Sequence, residues 1–277
     1  MSSETLSPPQ ERLRRRYGEA GLDDAGEWSD VVNHLLDHRS VRRFLPDAVT
    51  EAQLRTLVAA AQSAPSSSNL HTWSVVAVTD AAMRDRLAQL AGNQAQIREA
   101  PLQLVWLADL SMLERLSRLK DHPAAGLDYL EMFLVGALDA TLAAQNASTA
   151  AESIGLSTVY IGGMRNHADQ VAQLLGLPAR VAPVFGMCVG TADPSRPTSV
   201  KPRPPQSVVL HRERYDMAAG VEGLHRYEAT MQAFYQAQAM TAESWITRSL
   251  NRVASPAALT GRDRLREMLQ SLGFPLK

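Results

Sequence analysis

The scarcities of this sequence narrow it first. It holds a single cysteine, Cys188, set in the apolar run 184–189. One thiol among such neighbours builds neither a disulfide framework nor a cysteine-rich metal site. Aromatic residues are only 5% of the 277, and the formal net charge is -1 with a pI near 6.7. Near-neutrality argues against nucleic acid or an anionic membrane surface as partner. No G-x-G-x-x-G or Walker A spacing occurs, which removes two compact nucleotide sites. H-E-x-x-H, paired cysteines and a G-x-S-x-G elbow are also missing, so metal hydrolysis and a strained serine nucleophile lack their motifs. The first residues show no basic stretch followed by an apolar one, and no secretory signal is expected. The most apolar helical candidate, 129–154, is interrupted by Glu131, Asp139, Gln145, Asn146 and Glu152, which argues against a membrane span. The expectation is a cytoplasmic protein without a metal.

What is present is a regular alternation of helix and strand signals. Residues 1–27 are polar, with Arg12, Arg14, Arg15 and Arg16 set against Glu11, Glu19, Asp23 and Asp24, and read as an extension carrying one short helix broken near Gly18 and Gly21. Trp28, Val31, Val32 and Leu35 recur at helical spacing, predicting a helix over 30–37. Thr50 followed by Gln53 is a capping box opening a second helix, whose buried face is Leu54, Leu57, Val58 and Ala61. Strands are expected over 73–79, 102–108, 157–161 and 183–190, with Asp80 and Asn166 as helix caps between them. A long alanine-rich helix over 129–153 is apolar on more than one face, as in a large core or a dimer, with Gly155 as its C-cap residue. Residues 109–128 read as a mobile excursion of the kind that lids a pocket. A proline-rich stretch over 191–206 and two or three helices within 220–277 complete one domain over 28–277.

Polar residues gather on the loops of this scaffold: His38-Arg39-Ser40-Val41-Arg42-Arg43, then 66–71, 92–96 and 201–203. Arginine forks, serine hydroxyls and backbone donors in such loops suit a phosphate-bearing cofactor. The residues alone leave a second reading open, an α/β domain with solvated arginines. His34 and His38 stand four apart, yet no third ligand accompanies them, and surface or capping histidines account for them.

Five blocks, however, resemble one family. They are NHLLDHRSVRRFL at 33–45, APSSSNLH at 64–71, Gly92-Asn93-Gln94, and the run 136–190 with LDATLAAQNASTAAESIGLSTVYIGGMRN, LLGLP and PVFGMCVG. The fifth is VKPRPP at 200–205 with Val208-Val209-Leu210-His211 and Tyr215 behind it. Together, in this order, they resemble the FMN-dependent nitroreductases, and within them the oxygen-insensitive NADPH nitroreductases and flavin reductases.

The resemblance implies an α+β fold, a mixed sheet flanked by helices, in an obligate homodimer with FMN at the interface. It places His38, Arg39 and Ser40 on the FMN phosphate and Arg42 on the ribityl and pyrimidine side. Ser66, Ser67 and Ser68 would donate to phosphate and ribityl, and Gln94 would bond the isoalloxazine edge. Tyr160, Gly162 and Gly163 would line the ring, and Lys201 and Arg203 would complete the contacts. Arg42 or Lys201 near N1 would also favour the reduced flavin.

Two departures stand out. His71 takes a place where many relatives have glutamine and is kept as a flavin contact. Residues 237–243, AQAMTAE, contain no arginine where the NADPH branch reads the 2'-phosphate; the nearest are Arg248, Arg252, Arg262 and Arg264. NADPH and NADH both stay open as reductant. The implied activity is ping-pong, two-electron reduction of nitroaromatics, quinones, azo compounds or flavins. Reductive dehalogenation, flavin destruction and a non-catalytic flavin-binding dimer are the alternatives.

Overall fold

The structure is a computed structural model that describes residues 8–18, 26–241 and 243–277. Residues 1–7 and 19–25 of the expected extension, Gly21 and its acidic neighbours among them, and Ala242 lie outside the described residues. Four strands are present: β1 (Trp73–Val78), β2 (Leu102–Asp109), β3 (Ser157–Ile161) and β4 (Val181–Gly190). Helices in chain order are α1 (Pro8–Tyr17), α2 (Asp30–Leu36), α3 (Glu51–Gln62), α4 (Ala81–Leu90), α5 (Ala95–Glu99) and α6 (Ser111–Leu119). They continue with α7 (Leu130–Ser153), α8 (Ala168–Leu175), α9 (Met217–Ala237), α10 (Trp245–Val253) and α11 (Leu265–Ser271).

The chain divides into two compact units. The larger joins Ser40–Pro197 to Leu259–Lys277 and contains the sheet, ordered β1-β2-β4-β3 with every neighbouring pair antiparallel. The parallel component of this α+β fold is an isolated bridge between Ser40 and Thr158. Strand alternation sorts the two faces. Leu102, Leu104, Trp106 and Ala108 of β2 pack with the alanines of α7 and with Leu57 and Ala61 of α3. Val105 and Leu107 turn the other way, toward Leu87 and Ala88 of α4, Ile97 of α5 and Val171 of α8. With helices on both faces, β4 is buried throughout, Cys188 included. Burial pushes that thiol's pKa up, which disfavours the nucleophilic thiolate.

Most boundaries follow the local signals. The Thr50–Gln53 capping box is formed in both directions. At the end of α7 the cap residue is Ile154 and Gly155 follows it at φ 84; the Leu156 amide donates to the Ala151 carbonyl at 2.9 Å, closing a left-handed stop. Three expectations are corrected. Asn166 does not cap α8: a 3-10 turn over Gly162–Arg165 delivers it already in helical geometry, and His167, at φ -139 and ψ 63, is the non-helical residue before the helix. β4 begins at Val181, with Pro183 inside it; register slips between Trp106 and Leu107, so the proline sits at a bulge where its missing N–H is tolerated. α9 starts at Met217, three residues before the expected helical region, capped by Asp216, which accepts from the amides of Ala218 and Ala219.

The smaller unit joins Met1–Arg39 to Thr198–Ala258. Its apolar centre is Tyr227, Met231 and Tyr235 of α9, with Trp245 of α10 edge-on to Tyr227 at 5.0 Å. No helix among the described residues is long and apolar enough to cross a membrane.

Candidate active site

In the smaller unit, α2 starts on Ser29, whose hydroxyl accepts from the Val32 amide, and stops at Asp37, so His38 and Arg39 leave the helix in irregular backbone. Proline keeps 201–205 equally irregular. Arg16 of α1 ties the two segments together. Its guanidinium donates to the carbonyls of Leu36 and of His38 (3.1 Å) and to that of Lys201 (2.9 Å), and its own carbonyl accepts from the Arg203 amide at 2.7 Å. The Tyr227 hydroxyl holds the Pro202 carbonyl at 3.0 Å. The structure thus brings the segment of His38 together with that of Lys201 and Arg203.

In the larger unit, the Ser66–Thr72 loop is clamped by Asp139, a residue only 2% exposed on α7. Its carboxylate accepts from the Ser66 hydroxyl (2.8 Å), the Ser67 amide (3.0 Å), and the Thr72 amide (3.2 Å) and hydroxyl (3.1 Å). A buried carboxylate needs such donors, and here one loop supplies them all. The Ser66 hydroxyl also accepts from the His71 amide at 2.8 Å, so it is engaged on both sides. Ser68, Asn69 and His71 all adopt positive φ, at 50°, 58° and 52°. Each such non-glycine conformation costs about 1–3 kcal/mol and persists only where surroundings over-determine it. The His71 ring is bonded to the Asn69 side-chain oxygen at 2.9 Å.

Ser40 and Val41 run beside β3, with the Val41 amide on the Thr158 carbonyl at 3.0 Å. Val41 and Phe44 are buried, which leaves Arg42 and Arg43 exposed between them. Their fates differ. Arg43 pairs with Glu99. Among the described residues Arg42 has no hydrogen-bond or ion-pair partner, nor has Arg39, and Arg203 has no acidic one.

Gln94 precedes α5, with its amide nitrogen on the Ala91 carbonyl at 2.7 Å and its oxygen accepting from Gln96 at 2.6 Å. It meets Gly163 directly: a methyl built on that glycine would stand 2.5 Å from the Ala91 oxygen and 2.7 Å from the Gln94 nitrogen. Only glycine permits this approach. At Gly162 the same methyl would lie 3.6 Å from guanidinium nitrogens of both Arg165 and Arg262. Arg165 bonds the Val184 carbonyl, and burial lowers its pKa. Tyr160 packs edge-on to Phe185 at 5.3 Å and donates to Gln145 at 3.3 Å. Burial, with the Glu152 charge behind it, pushes its phenol up against a smaller opposing hydrogen bond from Ser148.

Beside Leu70, at the end of the strained loop, opens a cavity of about 620 Å³ walled by Leu113, Leu116, Leu127 and Met132, with Lys120 on its lining. The excursion 109–128 forms much of that wall. Arg180 fastens it, donating to Glu114 (3.0 Å), the Leu127 carbonyl (2.9 Å) and Asp128 (2.6 Å). Sequence reading missed Asp139, Arg16, Arg165 and Arg180, whose partners are remote in sequence.

A helix-covered antiparallel sheet whose loop beside β3 carries Arg42, without a partner among the described residues, defines a class of α+β protein suited to an anionic ligand. The particular family follows from comparison: the chain belongs to the Nitroreductase family. The model of that family matches residues 35–191, and that of the Nitroreductase family, C-terminal domain, matches 201–277. The NADPH-flavin oxidoreductase of Vibrio harveyi is 42% identical over 207 residues, 75% of this chain and 83% of that protein. The FMN reductase (NADPH) of Bacillus subtilis is 36% identical over 228 residues, 80% and 91% of the two chains. The solved NADPH:FMN oxidoreductase from Vibrio harveyi, complexed with NAD+, superposes with a TM-score of 0.79 at 37% identity, covering 90% of this chain and 100% of that one.

Proposed function

We propose that this chain is an FMN-dependent NAD(P)H oxidoreductase of nitroreductase type, reducing nitroaromatics, quinones, azo compounds or flavins. One observation carries the assignment of residues. Within one hexapeptide, Arg43 is neutralised by Glu99, whereas Arg39 and Arg42, the two the family resemblance assigns to FMN, have no partner among the described residues. A phosphate dianion needs cations that no carboxylate already holds, and arginine's fork suits it. Gly163 is required by the Ala91 carbonyl packed against it, and this contact fixes the turn that carries Gly162 and holds Gln94 in place for a ring edge.

The residues present therefore fit FMN. His38, Arg39, Ser40, Lys201 and Arg203 would take the phosphate, and Ser67 and Ser68 the phosphate and ribityl. Gln94, with the Gly162–Gly163 turn beside Tyr160, would take the ring edge, and His71 would approach from its strained loop. Bound FMN supplies hydride acceptance from NADPH or NADH and delivery of the electron pair to the acceptor. The chain's own part is binding and electrostatics: the unpaired Arg42 favours an electron-rich ring, and Ser66 serves through the loop it fixes. The apolar cavity beside Leu70 offers flat acceptors a surface with few specific demands, and Lys120 within it has no partner among the described residues.

The homodimer is supported by α7. Leu130, Leu134, Leu138 and Leu142 form a stripe at helical spacing, each between 44% and 54% exposed, opposite the buried alanines. Such a stripe calls for an apolar partner, and a second copy brings an identical one. A cytoplasmic site, with its NAD(P)H supply, accords with this chemistry.

The purified protein should be yellow, carry FMN, and lose its flavin absorbance on rapid mixing with NADPH or NADH before an acceptor restores it. A colourless protein that also fails to take up FMN overturns the reading. Flavin that stays oxidised with both dinucleotides leaves only a binding protein.

A further inference from the structure

We infer that Arg16, on the N-terminal helix, is a positioning residue for the phosphate-binding cations; this rests on the reading that His38, Arg39, Lys201 and Arg203 hold a phosphate.

Arg16 is 5% exposed, which is rare for an arginine and demands compensation. Carbonyl oxygens, those of Leu36, His38 and Lys201, supply part of that compensation. These belong to the two separate segments that carry the seat. Neither segment is helical or paired at His38 or at 201–203, so local secondary structure does not fix them. The Arg203 amide on the Arg16 carbonyl adds a fourth tie. The helix bearing Arg16 is itself docked: Leu13 is buried, Arg12 pairs with Asp37 at 3.1 Å, and Gly18 at its end lies against Thr230 of α9.

This arrangement does more than brace a loop. Carbonyls engaged by Arg16 spend their lone pairs on it, and an anion bound by the neighbouring cations meets fewer opposing dipoles. A guanidinium is the group for this work, because its fork reaches several acceptors at once and stays charged at any working pH. Lysine in its place has one nitrogen and reaches fewer of them.

The test compares FMN with riboflavin, which lacks only the phosphate, on the full-length chain freed of flavin. Wild-type protein, Arg16→Met and Arg16→Lys are titrated with each by flavin fluorescence. Arg16→Met should weaken FMN by roughly tenfold or more, the loss of one or two charge-assisted contacts, while riboflavin changes little. Arg16→Lys should fall between. Parallel weakening of both flavins would show a merely structural role and overturn the inference, as would an unchanged ratio in either variant. If Arg16→Met does not fold, the ratio for Arg16→Lys decides alone. A wild-type chain without preference for FMN over riboflavin would instead sink the phosphate reading itself.

Discussion

Two buried ions of opposite sign organise this molecule, one in each unit, and they do so in complementary ways. Asp139 collects donors: two amides and two hydroxyls of the Ser66–Thr72 loop converge on one carboxylate. Arg16 collects acceptors: three carbonyls of two segments converge on one guanidinium. The first consumes N–H and O–H groups of its loop and forces three residues into positive φ, leaving the loop rigid and strained. The second consumes carbonyls of the segments that carry His38, Lys201 and Arg203. A carboxylate clamp thus fixes shape, whereas a guanidinium clamp also sets the sign of the potential around it.

The largest effect should come from the carboxylate. Asp139→Ala strands the Ser67 and Thr72 amides, and each buried donor left unpaired costs about 1–3 kcal/mol. Loss of roughly 3 kcal/mol or more in chemical denaturation is expected, together with loss of bound flavin. Asp139→Asn should be milder, because its oxygen keeps part of the set. If Asp139→Ala leaves stability and flavin content unchanged, the loop is held by something else and the comparison fails.

Next in size is the seat itself. Arg39→Ala should weaken FMN by about ten- to hundredfold, the worth of one charge-assisted contact, with little change for riboflavin. Arg42→Ala should lower the flavin reduction potential as well as affinity. Arg43→Ala, which removes only an exposed pair with Glu99, should do neither. Equal losses from Arg39 and Arg43 would mean that pairing with Glu99 does not mark the bystander.

A smaller effect separates neighbouring serines. Ser66→Ala should cost about 1 kcal/mol of stability through its bonds to Asp139 and His71, and should move flavin affinity only as far as the loop loosens. Ser67→Ala removes a hydroxyl whose backbone amide, not side chain, serves the clamp. Its expected signature is weaker FMN binding with unchanged stability, read by titration and denaturation in parallel.

These contrasts also show what the sequence could and could not disclose. Thr50 with Gln53, Asp80 and the alternating strands are local signals, and they appear where expected. The loop clusters at 38–43, 66–71 and 201–203 stood out in the sequence, but the residues alone equally allowed solvated arginines, and their roles came with the family resemblance. Asp139 looked like a polar interruption of an apolar helix; its partner Ser66 stands 73 residues away, and no periodicity reveals such a pair. Arg16 looked like one more charge in a balanced extension. Asn166 had the right side chain for a cap but reached its position already helical, since backbone history and not residue type decides capping. Pro183 argued for a strand start until a bulge absorbed it.

The weakest expected effect comes from a third ionic knot, which asks whether burial is what gives the first two their force. Asp128 receives Lys277 at 2.6 Å and Arg180 at 2.6 Å, joining the excursion to both. Hydrogen bonds from Lys277 first, then from Arg180, hold its carboxyl below the ordinary value of 3.8, against the opposing cost of desolvation. A carboxyl depressed on folding adds stability that is fully present above the unfolded value and fades as pH falls through the lower folded one. The window therefore lies at and below pH 3.8, well under working conditions. Asp128→Asn should flatten the fall in stability on the acid limb by the same amount that it lowers stability near neutrality, a small one because solvent still screens this part-buried knot. The acid limbs of wild type and variant, measured by thermal melts across the range, check this. A large loss at neutral pH would show this part-buried knot to be as strong as the fully buried ones, and would break the rule that sets Asp139 and Arg16 apart.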